Sequence, residues 1–331
     1  MTLSFFNTIN KFIMKHFLKL IRIESLILVA FMQLIIKYGF LNHIHFKDAL
    51  GAPQSLVLWQ SLTDFQYVLL VFSTLFILAG GYIINAIFDV DTDIINKANQ
   101  VVIGTHINEK TAYNLYFIFT CLGVGIGFYL SRVINKPAFA TMFVICSALL
   151  YIYSNGLKQI PILGNAIVAL VVALSIVNIS FFNILPAIYG GNEFFMKTLV
   201  SILTDYAIFI FLLQFTIEII NTIVNEKGDA TYGISTVATS FGIKNAKIIG
   251  ASSLVLFITY LTYYLVENLA HNLYALGYFI LFIIAPLLFV AIKLFQYKLN
   301  NEYLLVIRIL KIVQITTILS LLIILLSMQY A

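Results

Sequence analysis

The sequence predicts an all-α fold, a multi-pass membrane bundle of nine transmembrane helices. Three observations predict it. Hydrophobic residues make up 61% of the 331-residue chain and charged residues only 10%, with a mean hydropathy of +1.00; a water-soluble domain carries roughly 25% charged residues. The apolar residues fall in long runs, each near the ~20 residues a helix needs to cross a bilayer. Those runs are continuous, whereas barrel strands would be short and alternating.

The first segment, 18–40, carries Lys19 and Arg22 near its start. The second, 67–89, is apolar until it reaches Asp89. The third, 112–131, holds Gly123, Gly125 and Gly127, which with Gly80 and Gly81 of the second suit close helix packing. The fourth, 137–153, follows after a very short connection. The fifth, 162–185, contains the glycosylation-like triplet Asn-Ile-Ser at 178–180, a chance match inside an apolar helix. The sixth, 199–225, is apolar except at its end, where Glu218 stands about a turn and a half inside. The seventh and eighth, 247–267 and 270–296, are again closely joined, and 304–330 completes the set. All nine form one domain, 1–331. The two cysteines, Cys121 and Cys146, lie inside apolar runs and read as small hydrophobes. His43 and His45 have no further ligands nearby and make no metal site. The first 17 residues lack the pattern of a cleaved signal peptide.

Orientation follows from Lys and Arg. With the N-terminus in the cytoplasm, that face carries 14 of the 19 basic residues, among them Lys97, Lys158, Lys227, Lys247 and Lys298. The other face carries Lys37, Lys47, Arg132, Lys136 and Lys197. The expected location is therefore a bacterial inner membrane, with the N-terminus and the acidic loops inside the cell.

Acids at a membrane boundary are costly, and this chain has two groups of them. Asn85, Asp89 and Asp93 are spaced i, i+4, i+8, one face of a helix that continues through Asp93, with Asp91 directed elsewhere. Glu218, Thr222, Asn225 and Asp229 make a second polar stripe at the end of the sixth helix. Both stripes end on the same face. Oxygen ligands in such rows suit a hard cation such as Mg²⁺, which takes one or two carboxylates with water and phosphate oxygens. A solvated helix end would place acids there too. An ionisable residue within a span, such as Glu218, marks a functional site by default.

The motifs resemble those of the UbiA family of intramembrane prenyltransferases over most of the chain. "NAIFDVDTD" keeps Asn85, Asp89 and Asp93 of the first aspartate-rich motif but has Ala86 at its second position. "IEIINTIVNEKGD" keeps Glu218, Gly228 and Asp229 of the second, with Thr222 and Asn225 where aspartates are usual. "YSNGLKQIPILGN" keeps Tyr153, Lys158, Pro161, Gly164 and Asn165, and "FLKLIRIES" keeps Arg22. "DIINKANQVVIG" has Ala98 and Gln100 in place of Pro and Arg. By eye the chain is most similar to the geranylgeranylglyceryl-phosphate geranylgeranyltransferase type.

The resemblance implies a UbiA-like bundle and Mg²⁺-dependent transfer of a prenyl group from a long-chain prenyl diphosphate to a lipid or aromatic acceptor. It casts Asp89, Asp93 and Asp229 as Mg²⁺ ligands and catalytic residues. Asn85, Lys97, Lys158, Tyr153, Glu218, Asn225 and Arg22 become substrate-binding candidates, and Lys227 a weaker one. The partners expected are the prenyl diphosphate, the acceptor and membrane lipids, with no nucleic acid. Two alternatives stand: a family member that binds an isoprenoid without turnover, motivated by the altered motifs, and a transporter. The clustering of acids at one face, without matching halves, speaks against the transporter.

Overall fold

The computed structural model describes residues 14–47, 53–55, 60–98 and 101–329, so Gln100 lies outside the described residues. Among them, nine helices are long and apolar enough to cross a membrane. They are α1 (Ile23–His43), α2 (Asp64–Phe88), α4 (Glu109–Val133), α5 (Pro137–Asn155), α6 (Leu163–Ala187), α7 (Glu193–Val224), α9 (Val237–Leu269), α10 (Leu273–Gln296) and α11 (Asn300–Gln329). Two short helices complete the numbering, α3 (Val90–Lys97) directly after α2 and α8 (Glu226–Thr231) directly after α7. A small antiparallel pair, His45–Lys47 with Pro53–Ser55, follows α1.

Hydropathy placed all nine, and the differences lie where polar residues extend a helix past its apolar core. α7 begins at Glu193 instead of 199, and α9 at Val237 instead of 247. At α9 the cause is a capping box, in which Thr236 accepts from Thr239 N–H and the Thr239 hydroxyl accepts from Thr236 N–H. Gly242, at φ 82°, then sets the first turn of α9 apart from the rest. The expected first segment is broken too. Residues 14–20 are helical, but Arg22 has a left-handed backbone (φ 50°), and α1 starts only after it.

α2 packs on α4 and α5, while α7 packs on α6, α9 and α11. Glycine allows the first contact. The Ser73 hydroxyl donates to the Gly123 carbonyl at 2.6 Å, and a Cβ on Gly123 would stand 3.0 Å from the Ser73 carbonyl oxygen. Gly80, Gly81 and Gly127 are similarly close to neighbouring side chains, but Gly125 faces open space and packs against nothing. At the end away from the acids, buried Lys37 donates to Gln60 Oε1 at 2.5 Å and reaches Asp64 at 3.4 Å. Asn183 Nδ2 also donates to Gln60 Oε1, at 2.9 Å, which ties the C-terminal part of α6 to the start of α2.

Candidate active site

Both acid stripes start at the same kind of backbone joint. α2 stops at Asp89 (φ −99°, ψ 5°) and α7 at Asn225 (φ −95°, ψ 1°). The i→i−4 ladder still runs through each. Asp89 N–H donates to the Asn85 carbonyl at 2.9 Å and Asp93 N–H to the Asp89 carbonyl at 2.8 Å. Asn225 N–H donates to Asn221 at 3.0 Å and Asp229 N–H to Asn225 at 3.1 Å. The row Asn85–Asp89–Asp93 therefore keeps its helical register, and its counterpart is Asn221–Asn225–Asp229. Thr222 does not belong to that counterpart. Its side chain is buried, and its hydroxyl donates to the Ile219 carbonyl at 2.7 Å. Asp91 is exposed, as its register requires.

The two short helices pack against each other through Asn96 of α3. Its Nδ2 donates to the Asn225 carbonyl at 2.9 Å, and its Oδ1 accepts from Gly228 N–H at 2.8 Å. One amide thus gives the Gly228 N–H an acceptor at the helix joint and adds a second donor to the Asn225 carbonyl. Gly228 is needed for the approach. A Cβ there would collide with the Asn96 amide and lie 2.7 Å from the Thr92 carbonyl oxygen. The sequence motif containing Asn96 was visible, but its task, holding the two stripes side by side, was not.

Electrostatics centre on Asp89. Its Oδ1 pairs with the Lys158 ammonium, and its Oδ2 accepts from Asn85 Nδ2 at 2.6 Å. The pair is largely withdrawn from solvent, with 12% of the Lys158 and 21% of the Asp89 side chain exposed. Burial raises the pKa of Asp229 to about 7, with the nearby Asp89 charge adding to the effect and Lys158 and Lys97 opposing it. Burial also raises Asp93 above the usual carboxylate value, against the pull of Lys97, and lowers Lys97 below the usual lysine value, against the pull of Asp93. Asp89, Asp93, Asp229, Lys97 and Lys158 therefore share one electrostatic neighbourhood. Tyr153 lies within its reach, together with Glu218 and Arg22.

Deeper in the bundle the polar row continues. Glu218 accepts from Gln214 Nε2 at 2.7 Å and from Asn221 Nδ2 at 3.3 Å, and Gln314 Nε2 donates to Gln214 Oε1 at 3.1 Å. Lys311 of α11 reaches the Ser25 hydroxyl at 3.4 Å, and the Arg22 guanidinium lies 5.2 Å from the centroid of the Tyr82 ring. Gln214, Asn221 and Gln314 went unremarked in the sequence, and Lys311 was counted only among the 14 basic residues of the cytoplasmic face. Polar side chains inside spans were the signal that could have found them. Lys227 is placed elsewhere, in a separate cleft with Lys247 and Lys298.

The donor set fits a hard divalent cation. Asn85 Oδ1 on the first stripe and Asn225 Oδ1 on the second are buried and have no hydrogen-bond partner among the described residues. A bare buried acceptor costs about 1–3 kcal/mol, which a cation or its water would offset. Among the described residues no three acid, histidine or cysteine side chains stand close enough to hold a single ion. Any one ion would draw on one or two carboxylates and on amide, water or ligand oxygens, the usual habit of Mg²⁺.

The profile described as the UbiA prenyltransferase family matches residues 50–306 of this chain. A digeranylgeranylglyceryl phosphate synthase of Sulfurisphaera tokodaii is 33% identical over 214 residues, 64% of this chain and 71% of that protein. One of Saccharolobus solfataricus is 31% identical over 217 residues, covering 64% and 70% respectively. Among solved structures, a digeranylgeranylglyceryl phosphate synthase in membranes superposes with TM-score 0.63 at 19% identity, over 95% of this chain and 99% of that one. A UbiA homolog from Archaeoglobus fulgidus bound to DMAPP and Mg²⁺ gives TM-score 0.57 at 14% identity, over 91% and 98%. These two likenesses establish a common fold.

Proposed function

This chain belongs to the UbiA prenyltransferase family, a multi-pass membrane prenyltransferase, and from that premise we propose that it transfers a geranylgeranyl group from its diphosphate to a hydroxyl of a glyceryl phosphate lipid, with Mg²⁺. The observation that carries this reading is the pairing of two acid-and-amide stripes beside Lys97 and Lys158, at the boundary between polar and apolar ends of the bundle. A prenyl diphosphate has the same division. We place that end in the cytoplasm, from the excess of Lys and Arg there, and the protein in the inner membrane.

In the proposed reaction Asp89, Asp93 and Asp229, with Asn85 and Asn225 as neutral oxygens, would supply the oxygens that hold Mg²⁺, no more than two carboxylates to any one ion. When bound, Mg²⁺ would stabilise the charge on the departing diphosphate. Lys158 and Lys97 take up diphosphate oxygens as negative charge builds on them. Tyr153, within reach of the acids, presents an aromatic ring where the allylic carbon gains positive charge. Glu218, oriented by Gln214 and Asn221, and Arg22 face the acceptor. The acceptor hydroxyl oxygen forms the new bond to the allylic carbon, the carbon–oxygen bond to diphosphate breaks, and the hydroxyl proton is released.

The test is product formation by purified protein supplied with geranylgeranyl diphosphate, Mg²⁺ and, in parallel, geranylgeranylglyceryl phosphate, an aromatic acid or a quinone precursor. A doubly prenylated glyceryl phosphate is the expected product. Transfer only to an aromatic acceptor would overturn the acceptor assignment. A second reading, a member that holds the diphosphate without turnover, is favoured by Asn225 standing where Asp89 stands in the first stripe. Tight, Mg²⁺-dependent diphosphate binding with no product from any acceptor would support it.

Two further outcomes follow from the geometry. Asn225→Asp restores a carboxylate at that position and should lower the Mg²⁺ concentration for half-maximal transfer about fivefold, because site charge sets affinity. An unchanged or higher requirement in a well-folded variant would exclude Asn225 from the metal shell. The second outcome concerns pH. Below about 7 Asp229 carries a proton that the cation must displace. Mg²⁺ affinity should therefore rise with pH, up to about tenfold per unit, and level off above that value. Calorimetric titration across this range measures it, and a flat profile would remove Asp229 from the ligand set.

A further inference from the structure

A cleft lies at the acid end of the bundle, lined by the end of α7, the start of α8, α9 and the α10–α11 connection with the start of α11. Its volume is about 230 Å³, and Lys227, Lys247 and Lys298 line it with the single acid Glu226. Ile223, Val224, Ile243 and Tyr303 form its apolar part. Among the described residues none of the three lysines has a carboxylate within ion-pair distance, the ion pairs being Lys37–Asp64, Lys158–Asp89 and Lys197–Glu193. Glu302, the first acid after Lys298, makes no ion pair with these lysines and accepts from the backbone N–H groups of Lys298 and Leu299, both at 2.8 Å.

The wall of the cleft is built rather than loose. The Lys247 ammonium donates to the Tyr297 carbonyl at 2.8 Å, and the Tyr303 hydroxyl donates to the same oxygen at 2.7 Å. Lys247 also lies 5.4 Å from the centroid of the Tyr303 ring. Two donors on one carbonyl cap the end of α10 and fix Lys247 beside the apolar floor. Three ammonium groups against the one carboxylate of Glu226 leave the lining net positive, so the arrangement favours an anion. The neighbouring exposed apolar side chains Ile243, Phe295 and Leu299 favour one that carries a hydrocarbon chain.

We propose that this cleft binds the phosphate-bearing headgroup of an anionic membrane lipid, with Lys227, Lys247 and Lys298 around the phosphate and the acyl chain running past Ile243. The site is separate from the prenyl-transfer site and does not depend on the function proposed for it. The shared chemistry, a phosphate group, could also come from inorganic phosphate or pyrophosphate in solution, and the test separates these sources.

Native mass spectrometry of the purified full chain, titrated with phosphatidylglycerol or phosphatidylcholine, reads retained lipid directly. Wild-type protein should hold phosphatidylglycerol on the order of tenfold more tightly than the Lys227→Gln/Lys298→Gln variant, with no such difference for phosphatidylcholine. Lys247 is left in place because it also holds the end of α10. Lys227→Arg/Lys298→Arg should keep the affinity, and added salt should weaken wild-type binding if the contact is ionic. Equal phosphatidylglycerol retention by wild type and the glutamine variant, or equal retention of both lipids, would overturn the proposal. Displacement of the lipid by inorganic phosphate or pyrophosphate at equal concentration would overturn the lipid as the source. If the glutamine variant fails to fold, the salt dependence and the phosphate competition on wild-type protein decide the matter alone.

Discussion

Asp89→Ala should abolish the advantage that Mg²⁺ gives to prenyl diphosphate binding and lower prenyl transfer about a thousandfold, the scale of losing one preorganised group that stabilises transition-state charge. Asp89 is the only one of the three candidate carboxylates with both oxygens engaged in the structure, one by Lys158 and one by Asn85. Removing it does two things. It deletes an oxygen ligand, and it leaves a largely buried ammonium without its counterion. The second effect would strengthen direct contact between Lys158 and the diphosphate, so some binding should survive in EDTA while its metal dependence disappears. Asp91→Asn is the control, since Asp91 is exposed in the first turn of α3, just past the joint at Asp89, and should change transfer by no more than about twofold. Isothermal titration with and without Mg²⁺, alongside product formation, gives both numbers. Wild-type metal dependence in Asp89→Ala would remove Asp89 from the mechanism.

The second large effect belongs to a residue with no side chain. Gly228→Val should destabilise the folded protein by about 2–3 kcal/mol, from overpacking against α3. The added Cβ meets the Asn96 amide and stands 2.7 Å from the Thr92 carbonyl oxygen. A side chain can swing away, but backbone cannot. Asn96→Ala should therefore relieve only part of the damage in a Gly228→Ala background. By itself Asn96→Ala should cost about 1–2 kcal/mol through two lost hydrogen bonds, together with a higher Mg²⁺ requirement as the stripes separate. Thermal unfolding in detergent and the Mg²⁺ dependence of transfer read the two effects separately. A Gly228→Val protein with wild-type stability would show that α3 and α8 do not pack as described.

Much of this was legible in the chain itself. Hydropathy located nine spans because the bilayer imposes one length on all of them. Helical spacing put Asn85, Asp89 and Asp93 in one row, and the ladder through Asp89 preserves that row. The second stripe was read less well. Spacing assigned Thr222 to it, yet Thr222 is buried, and Asn221 holds the equivalent place. Spacing left Asn221 out of the stripe, and only packing shows that the Thr222 hydroxyl turns back to the Ile219 carbonyl. The joints at Asp89 and Asn225, the left-handed Arg22 and the Asn96 contact were beyond periodicity. Each depends on which backbone groups happen to meet, a matter of three-dimensional approach rather than of pattern.

The Lys158–Asp89 pair has a consequence for how a ligand arrives. A lysine already matched to an acid presents little net field to solution, so the pair cannot draw a distant diphosphate toward itself. Its contribution begins only at contact, when a doubly charged ion can take the carboxylate and a phosphate oxygen can take the ammonium. Occupation is then a trade of partners in which neither charge is left bare at any stage. Under the proposed function such a pair would be quiet toward passing anions and would select for a metal and a diphosphate arriving together, because either one alone would strand half of it.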